Sequence, residues 1–330
     1  MTRHKTARTA GTALVATALS ATVLIGPGGP ARGAGRTLPG TDCPVFPATS
    51  FWHADVSRLP VHSRSEQWMA RMSPTRDLHP DFGPAYGEQP VPYGIPITVV
   101  GRSHPRVRVA FEYADESDRV RYPLGSDTRI EGGWAADGDR HALVVNRGTC
   151  RLYETFATHR TRSGRWRAGS GATWRLTSNA LRPAGWTSAD AAGLAILPGL
   201  LRPGEVRRGR VDHAIRFTTD VTDRRHVWPA RHDAGSVTDP SYPPMGAWFR
   251  LRSSFAISSF RADTQVVLRA MKRHGLVLAD NGSPWYFQGA RSRRWPGGLL
   301  DELKSVPAAA FEAVDTSSLR VSPDSGAVRP

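Results

Sequence analysis

Several polar segments of the chain carry side chains that can transfer protons. His79 and Asp81 lie two positions apart in a turn, and Asp139 and His141 have the same spacing where a strand is expected to begin. Residues two apart on a strand share a face, so Asp139 and His141 should point together. A carboxylate beside an imidazole is the arrangement that orients a general base. The candidate catalytic residues are His79, Asp81, Asp139, His141, Asp190, His213 and Asp280.

Amide, guanidinium and indole groups in other polar loops could hold a substrate. An indole is amphipathic and stacks well on a sugar ring at a half-buried surface. The candidate substrate-binding residues are Asn179, Arg182, Trp186, Trp228, Arg231, Asn281 and Trp285. Each also has a structural interpretation, because turn residues often only satisfy backbone donors and most tryptophans pack in a core.

Three reactions compete for these residues. A glycosidase needs two carboxylates about 5 to 9.5 Å apart, and the sequence does not pair its candidates. They are Asp81, Asp139, Glu205, Asp212 and Asp280. A polysaccharide lyase needs a base such as His79 or His141, and a group such as Asn179 or Arg182 to neutralise a uronate. A metal-dependent hydrolase ranks third because no HExxH motif is present, and we predict neither a metal nor another cofactor.

The first 35 residues have the zones of a secretory signal. Arg3, Lys5 and Arg8 give a positive start, residues 13–25 form an uncharged apolar run, and glycines, prolines and small residues follow. The run is too short to cross a bilayer, which takes about 20 apolar residues. We therefore predict a signal peptide over residues 1–35 and a secreted, extracellular protein with no membrane association after cleavage.

The net charge of the chain is +15, and arginine supplies almost all of the positive charge. A cationic domain attracts polyanions such as acidic glycans, although arginine-rich composition is also typical of a GC-rich genome. The arginines are scattered and no nucleic-acid-binding motif is present. The predicted partner is a polysaccharide or other cell-wall polymer, anionic polymers included, and not nucleic acid. We expect a monomer.

Cys43 and Cys150 are the only cysteines. An even number of cysteines in an exported chain favours a disulfide. The alternative is two separate buried thiols. A zinc site on these residues is excluded because neither belongs to a CxxC pair.

Short strand-like runs dominate the rest of the chain, and several alternate apolar and polar residues. The predicted strands cover residues 97–100, 106–113, 141–146, 151–156, 172–176, 213–218, 249–257 and 276–278. The predicted helices cover residues 63–72, 188–193, 203–208, 263–274 and 299–304. This pattern predicts a mainly β protein: an antiparallel β-sandwich, jelly-roll-like, as a single domain over residues 36–316 with a few peripheral helices. Residues 317–330 are polar and are expected to form a disordered tail.

Several of these motifs occur together in one known group of proteins. The run SNALRPAGWTSADAAG at residues 178–193, with ADNGS at residues 279–283, resembles a widespread family of secreted bacterial proteins of unassigned function. HPDFG at residues 79–83 and GDRH at residues 138–141 fit the same resemblance. It covers residues 46–315 and implies a secreted single domain, but no reaction.

The sequence thus predicts a secreted protein that acts on extracellular or cell-wall polysaccharide as a glycan hydrolase or lyase. The alternative is a non-catalytic glycan-binding or wall-associated structural protein. A binding protein would expose its aromatic side chains, whereas an enzyme would have a cleft with a perturbed acid–base pair.

Overall fold

A computed structural model describes residues 1–2 and 37–329. Apart from the first two residues, the predicted signal peptide lies outside this part of the chain. Residues 37–329 belong to one compact unit.

Fifteen short strands account for most of the regular structure in the described residues. In chain order they are β1 (His79–Asp81), β2 (Ile97–Val100), β3 (Val109–Phe111), β4 (Ala142–Asn146), β5 (Arg151–Thr155), β6 (His159–Arg160), β7 (Trp166–Ala168), β8 (Gly171–Arg175), β9 (Ile215–Thr219), β10 (Asp223–His226), β11 (Pro244–Met245), β12 (Trp248–Leu251), β13 (Leu276–Asn281), β14 (Tyr286–Gln288) and β15 (Phe311–Val314). The α-helices are α1 (Ser65–Arg71), α2 (Pro203–Arg207), α3 (Ala262–Arg273) and α4 (Gly297–Leu303).

Two sheets organise the molecule. The larger has six strands in the order β1-β14-β9-β13-β12-β15, and the second has four in the order β2-β4-β5-β8. The main apolar core packs on the six-stranded sheet and contains the fully buried Trp52, Phe217, Trp248 and Trp285. The four-stranded sheet packs one face on this main core, and a smaller core around Tyr122 is built on its other face.

The pairing of three strands sets a row of polar side chains across the six-stranded sheet. Asp81 of β1 lies opposite Gln288 of β14, and the pairing of Phe287 with Phe217 places Gln288 beside Arg216 of β9. Directly opposed residues on neighbouring strands point to the same face. The sheet register therefore aligns Asp81, Gln288 and Arg216.

A β-bulge adds a carboxylate to this row. In β13, Leu278 lies opposite Phe217, but Asp280 rather than Ala279 lies opposite Thr218. Regular pairing would have placed Asp280 on the other face, because side chains alternate along a strand. A bulge re-aims the side chains that follow it, and here it brings Asp280 to the face of Arg216.

The mainly β architecture with few helices confirms the sequence-based prediction of fold class. The antiparallel, jelly-roll-like sandwich is not confirmed, because five strand pairs are parallel. Parallel neighbours need a long crossover connection, and the segment between β9 and β13, which contains α3, is one. The predicted short helix at residues 188–193 is wrong, since these residues form turns and bends.

Cys43 and Cys150 form the predicted disulfide, with 5.2 Å between their Cα atoms. Cys150 directly precedes β5, so the bond fastens the start of the described chain to the four-stranded sheet.

The disordered tail predicted for residues 317–330 is wrong as far as residue 329. Leu319 is buried, and Arg320 and Val328 form a β-bridge. The carboxylate of Asp324 accepts a hydrogen bond from Arg231 at 2.6 Å, and the Ser325 carbonyl accepts one from Trp228 at 3.0 Å. Polar composition suggested disorder, but these contacts hold the segment against the core.

None of the helices in the described residues has the length and apolar character needed to cross a membrane.

Candidate active site

A buried arginine from β9 organises the polar residues on one face of the six-stranded sheet. Nη1 of Arg216 donates a hydrogen bond to Oε1 of Gln288 at 2.9 Å. Nη2 lies 3.2 Å from Oδ2 of Asp280 and 3.7 Å from Oδ2 of Asp190. The side chain of Arg216 is only 2% exposed, so its charge is balanced almost entirely by these carboxylates.

Asp81 lies in the same row of side chains as Arg216, but its carboxyl group differs from those that contact the arginine. Its carboxyl group accepts no hydrogen bond from any residue that the structure describes. Burial and the charges of Glu131 and Asp139 together raise the pKa of Asp81 to about 6, against the lowering effect of Arg216. A carboxyl group with such a pKa holds a proton in mildly acidic solution and can donate it.

His141 is paired with Glu131, a residue that the candidate set did not contain. Its Nδ1 lies 2.5 Å from Oε2 of Glu131, and its Nε2 donates to the Ala189 carbonyl at 3.1 Å. Burial lowers the pKa of His141, but the charge and hydrogen bond of Glu131 outweigh it and raise the pKa to about 9. His141 is therefore an imidazolium at neutral pH with both nitrogens engaged, which does not suit the expected general base.

The expectation that Asp139 would orient His141 is wrong. Arg140, between them, has a φ of 51°, and β4 begins only at Ala142. A left-handed residue breaks the alternation of a strand, so the two side chains do not share a strand face. Asp139 instead lies exposed in the loop before β4.

Asp190 and Asp280 complete the acidic side of Arg216. Oδ1 of Asp190 accepts a hydrogen bond from the Leu194 backbone at 3.0 Å, whereas its buried Oδ2 has no hydrogen-bond partner among the described residues. Burial raises the pKa of both carboxyl groups, and the charge of Arg216 opposes this rise. The name acidic cluster is used below for Asp81, Glu131, Asp139, Asp190 and Asp280 together with His141 and Arg216.

Two clefts open onto the acidic cluster. Cleft A has a volume of about 680 Å³. Its polar and aromatic lining is Asp81, Tyr86, Gln89, Tyr93, Glu131, Asp137, Asp139, Arg140 and Arg291. Cleft B has a volume of about 390 Å³. Its polar and aromatic lining is Tyr113, Glu116, Phe156, Ser170, Thr187, Ser188, Asp190, His232 and Asp280. Both volumes lie in the range of about 300 to 1,000 Å³ that is usual for ligand pockets.

Two of the candidate catalytic residues, His79 and His213, line neither cleft and do not belong to the acidic cluster. The ring of His79 stacks on Tyr286 with 3.9 Å between centroids. His213 is buried beside Glu205, which also pairs with Arg202. The ion pairs keep Glu205 charged, because burial alone would raise its pKa but Arg202 and His213 lower it to about 2.

The predicted substrate-binding loop around residue 180 is committed to internal contacts. Nδ2 of Asn179 donates to Oγ1 of Thr49 at 2.8 Å. Arg182 is buried and pairs with Asp118 at 2.9 Å, and its guanidinium lies over the half-buried Trp186 at 5.4 Å. Neither Asn179 nor Arg182 lines cleft A or cleft B.

Most of the other predicted binding residues are also buried or bonded to other parts of the protein. Trp285 is fully buried, so the expectation that it contacts substrate is wrong. Arg231 is buried and pairs with Asp324 at 2.6 Å. Trp228 lines a separate cavity of about 590 Å³. Asn281 is exposed next to Asp280, and its Nδ2 donates to the Ala234 carbonyl at 2.9 Å beside cleft B.

The sequence contained a signal for the arginine that the candidate set missed. Arg216 interrupts the apolar run Ala214, Ile215 and Phe217, all of which are buried. A charged residue inside a buried strand needs partners of opposite charge. The sequence indicates a role for Glu131 less clearly, since the residue lies in a polar turn before a pair of glycines, where an exposed glutamate is ordinary.

Comparisons with protein-family models, curated proteins and solved structures find no match to this chain. The resemblance to secreted bacterial proteins therefore stays a prediction. Across residues 1–2 and 37–329, no group of three His, Cys, Asp or Glu side chains has the spacing of a metal site.

Proposed function

We propose that this chain is an exported enzyme that hydrolyses glycosidic bonds of an extracellular or cell-wall polysaccharide, with the reaction in cleft A. The observation that carries the proposal is the placement of Asp81 and Asp139 in the lining of one cleft. They are two carboxyl groups in different environments, since Asp81 is partly buried and has a raised pKa and Asp139 is exposed. Glycosidases use such a pair as acid and as base or nucleophile.

Asp81 is assigned the role of proton donor. As the bond between the anomeric carbon and the glycosidic oxygen breaks, the proton of Asp81 passes to that oxygen. Asp139 acts in one of two ways. It attacks the anomeric carbon itself, and a water that gives its proton to Asp81 then hydrolyses the glycosyl ester, or it accepts the proton of a water that attacks the anomeric carbon directly. Hydrolysis needs no other reactant, and the proton lost by Asp81 is recovered from water.

The exposed rim of cleft A suits a sugar. Tyr86 is 68% exposed and forms an edge-to-face pair with Tyr93 at 5.6 Å. A tyrosine ring offers an apolar face for a sugar ring and a hydroxyl group for its hydrogen bonds. Such an aromatic pair in the same cleft as two carboxyl groups favours a carbohydrate over a smaller polar substrate.

Hydrolysis is favoured over the lyase reaction by the positions of the charged groups. A lyase needs a cation or amide to neutralise the uronate carboxylate next to its base, and the expected groups, Asn179 and Arg182, bind elsewhere. Two arginines line cleft A, but Arg140 donates to the Gly133 carbonyl and Arg291 to the Pro92 carbonyl. The lining of cleft A carries four carboxyl groups, those of Asp81, Glu131, Asp137 and Asp139, against these two arginines. Because like charges repel, a neutral or amino-sugar glycan fits this lining better than a polyanion, despite the positive net charge of the chain.

The test is a turnover assay with matched variants. Wild-type protein is incubated with xylan, glycol chitin, peptidoglycan, pectate and hyaluronan, and both reducing ends and the absorbance of unsaturated uronates are measured. We expect new reducing ends from a neutral or amino-sugar polymer. The rate should fall about 10²- to 10⁴-fold in Asp81→Asn, the usual contribution of a general acid, and also fall steeply in Asp139→Asn.

Asp137→Asn is the matched control, because Asp137 lines the same cleft two residues before Asp139, and it should keep wild-type activity. Equal loss in all three variants would show a general effect of negative charge and overturn the assignment. Unsaturated products would favour the lyase. Binding of a polymer without any turnover would instead favour the non-catalytic glycan-binding protein.

A further inference from the structure

We propose that the outer face of the small three-stranded sheet, in the order β3-β7-β6, together with the segment before Tyr122, is a binding surface for a linear acidic polysaccharide. The name basic face is used below for its arginines, which are Arg108, Arg119, Arg121, Arg165 and Arg167. None of them lines cleft A. The inference is therefore independent of the reaction proposed for that cleft.

The strands of this sheet turn three arginines toward solvent on one side. Trp166 of β7 is buried, whereas Arg165 and Arg167 on either side of it are exposed. Ala110 of β3 lies opposite Arg167 and is exposed, and so is Arg108 two positions earlier. Residues two apart on a strand share a face. Arg108, Arg165 and Arg167 therefore point outward from the same side of the sheet.

The segment before Tyr122 adds two more arginines. The backbones of Val107 and Tyr122 exchange antiparallel hydrogen bonds of 2.8 and 2.9 Å, which places Arg121 beside Arg108. Arg108, Arg119 and Arg121 line one open depression of about 590 Å³, and no acidic residue of the described chain lines it. Because neighbouring strands are about 4.8 Å apart, the cations recur at short intervals across the sheet.

The positive charge of the basic face is not neutralised by the protein. In the described chain, the arginines that form ion pairs all lie elsewhere. Nε of Arg119 donates to the Ala114 carbonyl at 2.9 Å, and Nη1 of Arg121 donates to the Arg106 carbonyl at 3.4 Å. A guanidinium has five N–H donors, so these bonds position the two side chains and leave most of their donors for a ligand. Glu112, just after β3, is exposed and brings one negative charge to this side of the sheet.

This arrangement fits a polymer with repeated negative charges. The fork of a guanidinium matches the two oxygens of a carboxylate or sulfate group. A single small anion engages one or two such forks, whereas a linear acidic polysaccharide carries a charge on every sugar or every second sugar and engages several at once. Linked contacts of this kind strengthen binding beyond that of each contact alone. The basic face also gives the arginine-rich composition a place of action that the acidic lining of cleft A does not offer.

The experiment measures binding and not turnover. Pectate is compared with fully methyl-esterified pectin, a neutral polymer with the same backbone, by titration calorimetry at low and at high salt. We expect wild-type protein to bind pectate but not the ester, and to bind pectate more weakly at high salt, because salt screens exposed charges. The triple variant Arg108→Gln, Arg121→Gln, Arg165→Gln should raise the Kd for pectate by at least about tenfold, equivalent to ~1.4 kcal/mol.

The matched control is the triple variant Arg58→Gln, Arg207→Gln, Arg269→Gln, which removes the same charge from exposed arginines outside the basic face. It should keep the wild-type Kd. Equal weakening in both triple variants would show attraction by net charge alone and overturn the basic face. The same conclusion would follow if wild-type protein did not bind pectate, or bound phosphatidylglycerol vesicles or DNA more tightly than pectate at the same salt concentration.

Two further variants keep the test independent of folding and of cleft A. Guanidinium denaturation shows whether both triple variants are folded, and the single variant Arg108→Gln should raise the Kd in the same direction by a smaller factor. Asp81→Asn should bind pectate as the wild type does, because Asp81 lies outside the basic face. Loss of pectate binding in Asp81→Asn would place the polymer in cleft A and overturn the inference. A protein that binds pectate through these arginines but cuts no glycan would contradict the hydrolase assignment only.

Discussion

Arg216 and Asp280 are 64 positions apart in the chain, yet Nη2 of the arginine lies 3.2 Å from Oδ2 of the aspartate. The pairing of β9 with β13 makes them neighbours, and the bulge after Leu278 turns Asp280 toward the arginine. The Arg216 guanidinium thereby pairs with both Asp190 and Asp280 and donates a hydrogen bond to Gln288. The stability of this region should depend strongly on that cation.

Arg216→Met should lower the free energy of unfolding at pH 7 by about 3 to 5 kcal/mol, because it leaves buried carboxylates without a partner. The pKa values of Asp190 and Asp280 are already raised by burial. Without Arg216 both groups should hold protons more readily, so the loss should be smaller at pH 5 than at pH 7. Chemical denaturation at the two pH values measures this.

Arg210→Met is the matched control for the loss of an arginine. Arg210 pairs with Asp212 but is 66% exposed, and an exposed pair contributes about 0 to 1 kcal/mol. An Arg216→Met protein as stable as the control at pH 7 would contradict a central role for this cation.

The pair of His141 and Glu131 predicts a second pH dependence. The pKa of His141 in the folded protein is about 9, above its ordinary 6.5, so its contribution to stability is complete below pH 6.5 and is lost as the pH rises through about 9. The pKa of Glu131 is lowered from 4.5, because His141 outweighs burial, so its contribution is lost as the pH falls below that value.

Glu131→Gln should lower the free energy of unfolding by about 3 kcal/mol at pH 6, since it leaves His141 without its buried partner. It should also remove most of the decline in stability between pH 6.5 and 9. Denaturation curves at pH 6, 7.5 and 9 provide the measurement. Glu312→Gln breaks a carboxylate–arginine pair instead and should keep the decline, and a decline that persists unchanged in Glu131→Gln would show that His141 does not cause it.

Much of the candidate site could be predicted from polar turns. The structure brings five of the seven candidate catalytic residues, Asp81, Asp139, His141, Asp190 and Asp280, around Arg216. Asp139 and Asp190 lie in loops, and Asp81 and Asp280 lie at the ends of β1 and β13. Such segments disproportionately carry binding and catalytic residues. Their catalytic roles stay predictions.

Other features could not be predicted because they depend on strand pairing. The bulge that turns Asp280 leaves no mark in the run Leu276–Leu278 that predicted the strand. The left-handed Arg140 gives His141 a different partner from the one that alternation indicated. Trp285 follows a good turn sequence, but its ring packs on Phe217 and Phe311 in the core. A polar neighbourhood in sequence therefore did not tell whether an indole faces solvent.

The disulfide should contribute substantially to stability. Cys43 and Cys150 are separated by 107 positions. Closing a loop of about that length lowers the entropy of the unfolded chain and so raises its free energy by up to ~4.7 kcal/mol. The double variant Cys43→Ala, Cys150→Ala should lose about 2 to 5 kcal/mol. Guanidinium denaturation with and without reductant should show a reductant effect in the wild type only, and equal stability of the two proteins would contradict this role.

If protonated Asp81 is the proton donor, its pKa sets the pH above which activity declines. Its pKa is raised to about 6 by burial and by the charges of Glu131 and Asp139, and only the protonated form can donate to the glycosidic oxygen. With a neutral polysaccharide as substrate, kcat/KM should fall as the pH rises through about 6, approaching tenfold per pH unit above it. Asp137→Asn should show nearly the same midpoint, because Asp137 is not among the main charges that act on Asp81. Fluorescence recorded over the same pH range separates this decline from unfolding. A kcat/KM that stays constant from pH 5 to pH 8 while the protein remains folded would mean that the proton comes from another group.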